Sequence, residues 1–198
     1  MKSDVCQITS DVSSLTAILN ETEKSATYSK LDKKQSLRLR LLAEELVGML
    51  PELLSFSNGG FWVESEGSNF ELHTLLNPNE AMNSENRDKL LSVSKSGKNA
   101  AAKGIMNKIK LAAQFMMIDY NDAVSNTGVE YEFFNMGFGD PQYLRSVTWS
   151  LQNYRANTEQ KKGEPWDELE KSIVANIADD VVVALNGKSV EIIVKKSF

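Results

Sequence analysis

Residues 37–50 read LRLRLLAEELVGML and residues 61–76 read FWVESEGSNFELHTLL, and these two stretches carry two of the clearest structural patterns in the chain. In the first stretch, apolar side chains recur at steps of three and four residues, so they share one helix face. The helix is predicted over 32–54, with a kink or an end near Leu50 because Pro51 lacks a backbone donor. The second stretch alternates on both sides of a Glu66-Gly67-Ser68 turn, which predicts a β-hairpin.

The alternation also assigns the two faces of this hairpin. The row predicted to face one side consists of Phe61, Val63, Phe70, Leu72, Thr74 and Leu76. His73 falls on the opposite face together with Glu71 and Leu75, because successive strand residues point to opposite sides. There we expect a histidine that is solvent-facing or only partly satisfied by hydrogen bonds.

Shorter elements precede and follow these stretches. Residues 4–9 alternate like a strand, and a helix follows that we expect to be capped by Ser10 or Asp11. A further helix is predicted over 99–117, with Ile109 on its apolar stripe. Residues 119–145 lose periodicity and read as a loop-rich segment.

The C-terminal third predicts two more helices and a hairpin. One helix is expected over 145–159, and another begins near Pro165, which suits the first turn of a helix. Residues 181–195 alternate around Asn186-Gly187, a pair that suits a type I′ turn because both positions need positive φ.

Composition limits the class of protein. With 198 residues, 41% hydrophobic and 25% charged, the chain is long enough for one domain with a full core. The net charge of −5 argues against a duplex nucleic-acid binder, which needs a basic face for phosphate contacts. Neither a signal-peptide apolar region nor a run of about 18 apolar residues is present, so we expect a cytoplasmic protein that does not enter membranes.

Cysteine and histidine occur once each, as Cys6 and His73. An intrachain disulfide is therefore excluded. A zinc site would have to combine these two residues with carboxylates, which is a poor ligand set for that metal. The sequence predicts no metal site.

Three stretches resemble the anti-sigma serine kinases of the GHKL superfamily, which also includes histidine kinases and gyrase-type ATPases. They are residues 8–50, whose LRLRLLAEELVGML resembles the family's long helix, the hairpin of 61–76, and IVANIADDVVVALNGKSVEIIVKK at 173–196. The resemblance implies an α+β histidine-kinase-like ATPase fold: a two-layer α/β sandwich whose mixed, mostly antiparallel sheet carries helices on one face. It also implies a single domain over 1–198 with an insertion at about 98–165.

By the same resemblance, Glu45 is the catalytic glutamate of the family's long helix. The family glutamate polarises the attacking group, and an asparagine four residues later helps to hold the magnesium ion that neutralises the phosphates. Met49 stands at the asparagine position, and a thioether is a poor ligand for a hard cation. The Asp-x-Gly-x-Gly motif expected after Leu76 is replaced by NPNEAMNSENRD, which contains no glycine.

Two segments compete for the role of the family's glycine-rich lid, SKSGKNAAAKG at 94–104 and KKGEPW at 161–166. In the first, the candidate cofactor-binding residues are Lys95, Gly97, Lys98 and Asn99, because backbone amides at a helix start attract phosphate. The alternative interpretation of that segment is an ordinary basic helix cap.

From these departures we expect a regulatory protein with weak or no ATP turnover that acts by binding a protein, a sigma factor or antagonist-like partner by resemblance. The alternative is a working ATP-dependent kinase or ATPase with a rewired site, in which Glu45 is the base and ATP and Mg²⁺ are the cofactors. Nucleotide binding and homodimer formation both stay open.

Overall fold

A computed structural model describes residues 1–9, 14–79, 109, 148–159, 173–186 and 189–198. The elements in this part of the chain are β1 (Cys6–Thr9), α1 (Leu15–Tyr28), α2 (Lys33–Leu53), β2 (Phe56–Glu66), β3 (Asn69–Pro78), β4 (Thr148–Ser150), α3 (Leu151–Glu159), α4 (Ile173–Ile177), β5 (Asp180–Asn186) and β6 (Ser189–Ser197). Within the described ranges, no helix combines the length and the apolar character needed to cross a membrane.

The strands form one sheet with the order β1-β2-β3-β6-β5-β4. Every pairing between the described strands is antiparallel, so this part of the sheet is not mixed. Both predicted hairpins, β2–β3 and β5–β6, are confirmed, and they lie side by side because β3 pairs with β6. The architecture is therefore α+β with an antiparallel sheet.

The helices bury the sheet face that the alternation predicted. Phe61 lies opposite Thr74 and Val63 lies opposite Leu72, and all four side chains are buried. Phe61, Val63 and Leu72 belong to one core cluster with residues from all the described helices, among them Ile18, Leu42, Leu46, Leu50, Leu151 and Val174. Helices α1 and α2 pack on each other, and α4 packs on α2. The opposite sheet face is called the outer face below.

Helix α2 begins with a capping box. The Asp32 carboxylate accepts hydrogen bonds from the backbone amides of Lys34 and Gln35, each at 2.8 Å, and the Gln35 side chain accepts one from the Asp32 amide at 2.9 Å. The predicted span of 32–54 is confirmed within one residue at each end, and of the two alternatives near Leu50 the end is wrong, since the helix continues through Pro51 to Leu53. Proline removes only one donor in this last turn, and Leu53, 2% exposed, holds the turn against the core.

Two predictions in the C-terminal third need correction. The first part of the predicted 145–159 helix is strand β4, which pairs with β5, and the helix begins only at Leu151. The terminal hairpin pairs Asn186 with Ser189, so its two connecting residues are 187–188 rather than Asn186-Gly187. Both registers keep the same side chains on the same face, which is why the alternation alone does not separate them.

Other predictions meet the structure only in part. Helix α1 begins at Leu15 with Ser14 as its N-cap residue, so a cap at Ser10 or Asp11 is wrong. Of the predicted 99–117 helix only Ile109 is described, and it is helical and 1% exposed. The loop-rich 119–145 segment lies outside the described residues, as does most of the proposed 98–165 insertion; within that range, β4 joins the sheet.

Candidate functional site

Helix α2 carries the first predicted site, formed by Glu45 and Met49. The two residues are one turn apart, so they are neighbours on the helix surface. Their environments differ: Glu45 is partly exposed, whereas Met49 is 6% exposed and belongs to the core cluster. The adjacent Glu44 is exposed. The helix therefore presents a carboxylate at the edge of the core, next to a buried thioether.

The second half of that predicted site lies outside the described residues. This applies to Lys95, Gly97, Lys98 and Asn99, and to both candidate lid segments. The position of Glu45 relative to a phosphate-binding segment is accordingly not part of the described geometry. In the described chain, the predicted nucleotide site consists of Glu45 and Met49 alone.

A different polar cluster lies on the outer face of the sheet, centred on His73. Strand pairing puts Trp62 opposite His73 and Glu64 opposite Glu71. The Trp62 and His73 rings stack, with centroids 4.9 Å apart and planes 9° from parallel. His73 is 6% exposed, so of the two expectations a solvent-facing histidine is wrong, whereas a histidine only partly satisfied by hydrogen bonds is confirmed. Its burial follows from the tryptophan ring that covers it.

The two ring nitrogens of His73 face different carboxylates. Nδ1 lies 3.1 Å from Oε1 of Glu191 on β6, within hydrogen-bonding distance. Nε2 lies 3.3 Å from Oε2 of Glu71, but it is buried and has no hydrogen-bond partner with good geometry among the described residues. A neutral imidazole donates from one nitrogen and accepts at the other, so the Glu191 carboxylate favours a proton on Nδ1 and a lone pair on Nε2.

Both glutamates beside Nε2 are oriented by cations through one of their oxygens. Oε1 of Glu64 lies 3.0 Å from Nζ of Lys2 and accepts a 2.8 Å hydrogen bond from the Trp62 indole. These two hydrogen bonds, first from Lys2 and then from Trp62, lower the pKa of the Glu64 carboxyl. Oε1 of Glu71 lies 2.8 Å from Nζ of Lys195. Both carboxylates are thus held in place beside the imidazole.

The residues that could hold a metal ion in the described chain are Glu64, Glu71 and His73. One ligand atom from each lies within 4.8 Å of the others. The sequence predicts no zinc site, because Cys6 and His73 with carboxylates are a poor ligand set. Cys6 in fact pairs with Phe61 on the helix-covered side. A predicted two-residue turn at Gly67-Ser68 would have found two of the three ligands, because that register pairs Glu64 with Glu71. His73 lies two residues beyond Glu71 and therefore on the same face.

Comparison with protein-family models, with curated proteins and with solved structures finds no match to this chain.

Proposed function

We propose that this chain is a regulatory, protein-binding domain with the histidine-kinase-like ATPase fold, related to the anti-sigma serine kinases, with weak or no ATP turnover. The observation that carries the proposal is the burial of Met49, which is 6% exposed. In the resembled family this position supplies an oxygen ligand to magnesium. A buried thioether supplies none, so the charge on a bound triphosphate would lack this source of neutralisation.

The order of elements supports the fold part of the proposal. A strand, a helix, the long helix α2, a hairpin, a late helix and a closing hairpin follow one another as in the stretches that carry the resemblance. Helices on one face of a largely antiparallel sheet are also what the resemblance implies. Folds alone do not define activities, so the loss of turnover is argued from Met49.

The partner class comes from the resemblance and from charge. A domain of this type would act by covering a surface of a sigma factor or of an antagonist-like protein, and a second copy of the chain is the alternative partner. The excess of 27 acidic over 22 basic residues disfavours a nucleic-acid partner.

A nucleotide titration tests the proposal directly. The melting temperature of the full chain is measured with ATP, ADP and a non-hydrolysable ATP analogue, each with and without Mg²⁺. A ligand at about 100 times its dissociation constant adds about 2.7 kcal/mol of stability, which raises the melting temperature of a chain of this size by several degrees. We expect no shift with any nucleotide. A magnesium-dependent shift would contradict the proposal.

The partial exposure of Glu45 favours one alternative, a functional kinase or ATPase with a rewired site. Glu45→Gln separates the two functions, with Glu44→Gln as the matched control because Glu44 is adjacent and exposed. If Glu45 is the base, its substitution lowers ATP turnover by about 10²-fold or more and the control does not. Equal turnover in both variants would exclude this role for Glu45.

A further inference from the structure

We propose that Glu64, Glu71 and His73 bind a divalent zinc-type cation on the outer face of the sheet. The site does not depend on whether the chain binds a nucleotide near Glu45, because it lies on the sheet face opposite α2. Two observations point to it: a set of three ligand atoms within 4.8 Å of one another, and a buried imidazole nitrogen without a hydrogen bond that faces this set. The cluster therefore contains a nitrogen, Nε2 of His73, that can ligate a metal ion and that forms no hydrogen bond with the described protein groups.

The spacing of the ligand atoms suits such an ion. Zinc lies about 2.0–2.2 Å from imidazole nitrogen and carboxylate oxygen, so two ligands of a tetrahedral ion are about 3.3 Å apart. His73 Nε2 and Glu71 Oε2 already have this separation, at 3.3 Å. For the ion to contact all three ligands, the partly exposed Glu64 carboxylate would have to shift from its contacts with Lys2 and Trp62. The ion would then have three protein ligands and at least one position for water.

The surrounding contacts match those of histidines that ligate metals. Such histidines usually donate their second ring N–H to a carboxylate, which fixes the tautomer and orients the ring. Glu191 occupies this position beside Nδ1 of His73, at 3.1 Å. Trp62, stacked on the imidazole, holds the ring plane. His73 is thus oriented from two sides while Nε2 faces the glutamates.

The local charge favours a cation. Three carboxylates, of Glu64, Glu71 and Glu191, surround the imidazole, and the ammonium groups of Lys2 and Lys195 offset two of them. Both ammonium groups approach Oε1 of their glutamates, and Oε2 of Glu71 is the oxygen that faces His73. A net negative site with one nitrogen ligand favours zinc or cobalt over magnesium, which prefers oxygen ligands.

The ion can reach the cluster from solvent. Glu64 and Glu71 also line a cleft of about 1150 Å³ at the β2–β3 turn end of the sheet, together with Lys2 and Lys195. A ligand position that opens on this cleft can take water or a carboxylate of a bound molecule.

Zinc titration of the metal-stripped full chain by calorimetry tests the proposal, with Co²⁺ absorption as a readout of the ligand set. Wild type is expected to bind one Zn²⁺ with a dissociation constant in the micromolar range. His73→Gln and Glu71→Gln are each expected to weaken binding by at least about tenfold, the lower end of the effect of losing even an outer partner of a metal ligand. Glu66→Gln, which removes an exposed carboxylate further along β2, is expected to bind like wild type.

Three results would overturn the site. They are no saturable binding by wild type up to millimolar Zn²⁺, equal binding by wild type and Glu71→Gln, and equal losses in Glu71→Gln and Glu66→Gln. Circular dichroism of each variant checks that it is folded. Because His73 is buried, its substitution can unfold the chain; in that case the isosteric Glu71→Gln decides the outcome.

Discussion

Met49 lies one turn from Glu45 but belongs to the core, and this difference leads to a stability prediction. Met49→Asn would place an amide where the described surroundings are apolar, so we expect a loss of about 1–3 kcal/mol in the free energy of unfolding. Met49→Leu conserves volume and should cost less than about 1.5 kcal/mol. Urea unfolding measures both. A neutral Met49→Asn would indicate an open, wet pocket and would favour the nucleotide-binding alternative.

Cys6 provides a pH-dependent test of packing at the residue scale. Burial raises the pKa of its thiol, and the nearby carboxylates of Glu21 and Asp4 add to the effect. Because the folded state favours the protonated thiol, alkylation should reach half its maximal rate at a higher pH in the native protein than in denaturant. Reaction with iodoacetamide, followed by mass spectrometry, measures both profiles. Coincident profiles would mean that β1 leaves Cys6 fully solvated.

His73 shows how far single residues could be predicted. Alternation in 61–76 placed it on the outer face, which is correct. Its hydrogen bond to Glu191 could not be predicted from that stretch, because Glu191 lies on a strand 118 residues further along the chain.

At the scale of elements, α2 contains a glycine whose cost can be measured. Gly48 is exposed in mid-helix, and an added Cβ would meet no atom within 4 Å. Gly48→Ala should therefore stabilise the protein by about 0.5–1 kcal/mol, since alanine restricts the unfolded backbone more and favours the helix. Thermal unfolding measures the change.

Gly67 is the matched control for that substitution. It also has open space around an added Cβ, but its φ is +60°, which disfavours any residue with a side chain. Gly67→Ala should therefore destabilise the protein. If both substitutions changed the free energy of unfolding in the same direction, the backbone conformation of the two glycines would not explain the changes.

Elements differed in how well their patterns predicted them. The β2–β3 hairpin has ten or more residues in each strand, so its alternation is unambiguous. Strand β4 has three residues, too few for a period of two to stand out from the helical pattern that follows. Its pairing with β5, rather than its own sequence, makes it a strand.

At the scale of the whole molecule, the sheet order predicts where the native state is most resistant to opening. Strands β3 and β6 have neighbours on both sides, and the Thr74 hydroxyl donates to the Ile192 carbonyl at 3.2 Å between them. Amides of β3 and β6 should exchange more than about tenfold more slowly than those of β1 at the sheet edge. Hydrogen-exchange mass spectrometry compares the peptides. Equally fast exchange in 190–194 and 6–9 would contradict the docking of the terminal hairpin beside β3.

The sequence alone determined the local elements and their buried faces, because helical and strand periodicity depends on residues that are close in sequence. Helix α2, the two hairpins and the inward-facing row from Phe61 to Leu76 were predicted in this way. Only the tertiary structure decided that β3 pairs with β6, that β4 is a strand, and that Glu191 lies beside His73. These contacts join residues more than thirty positions apart, and their choice depends on which packing buries the most apolar surface. The carboxylate–histidine cluster of the outer face depends on this choice.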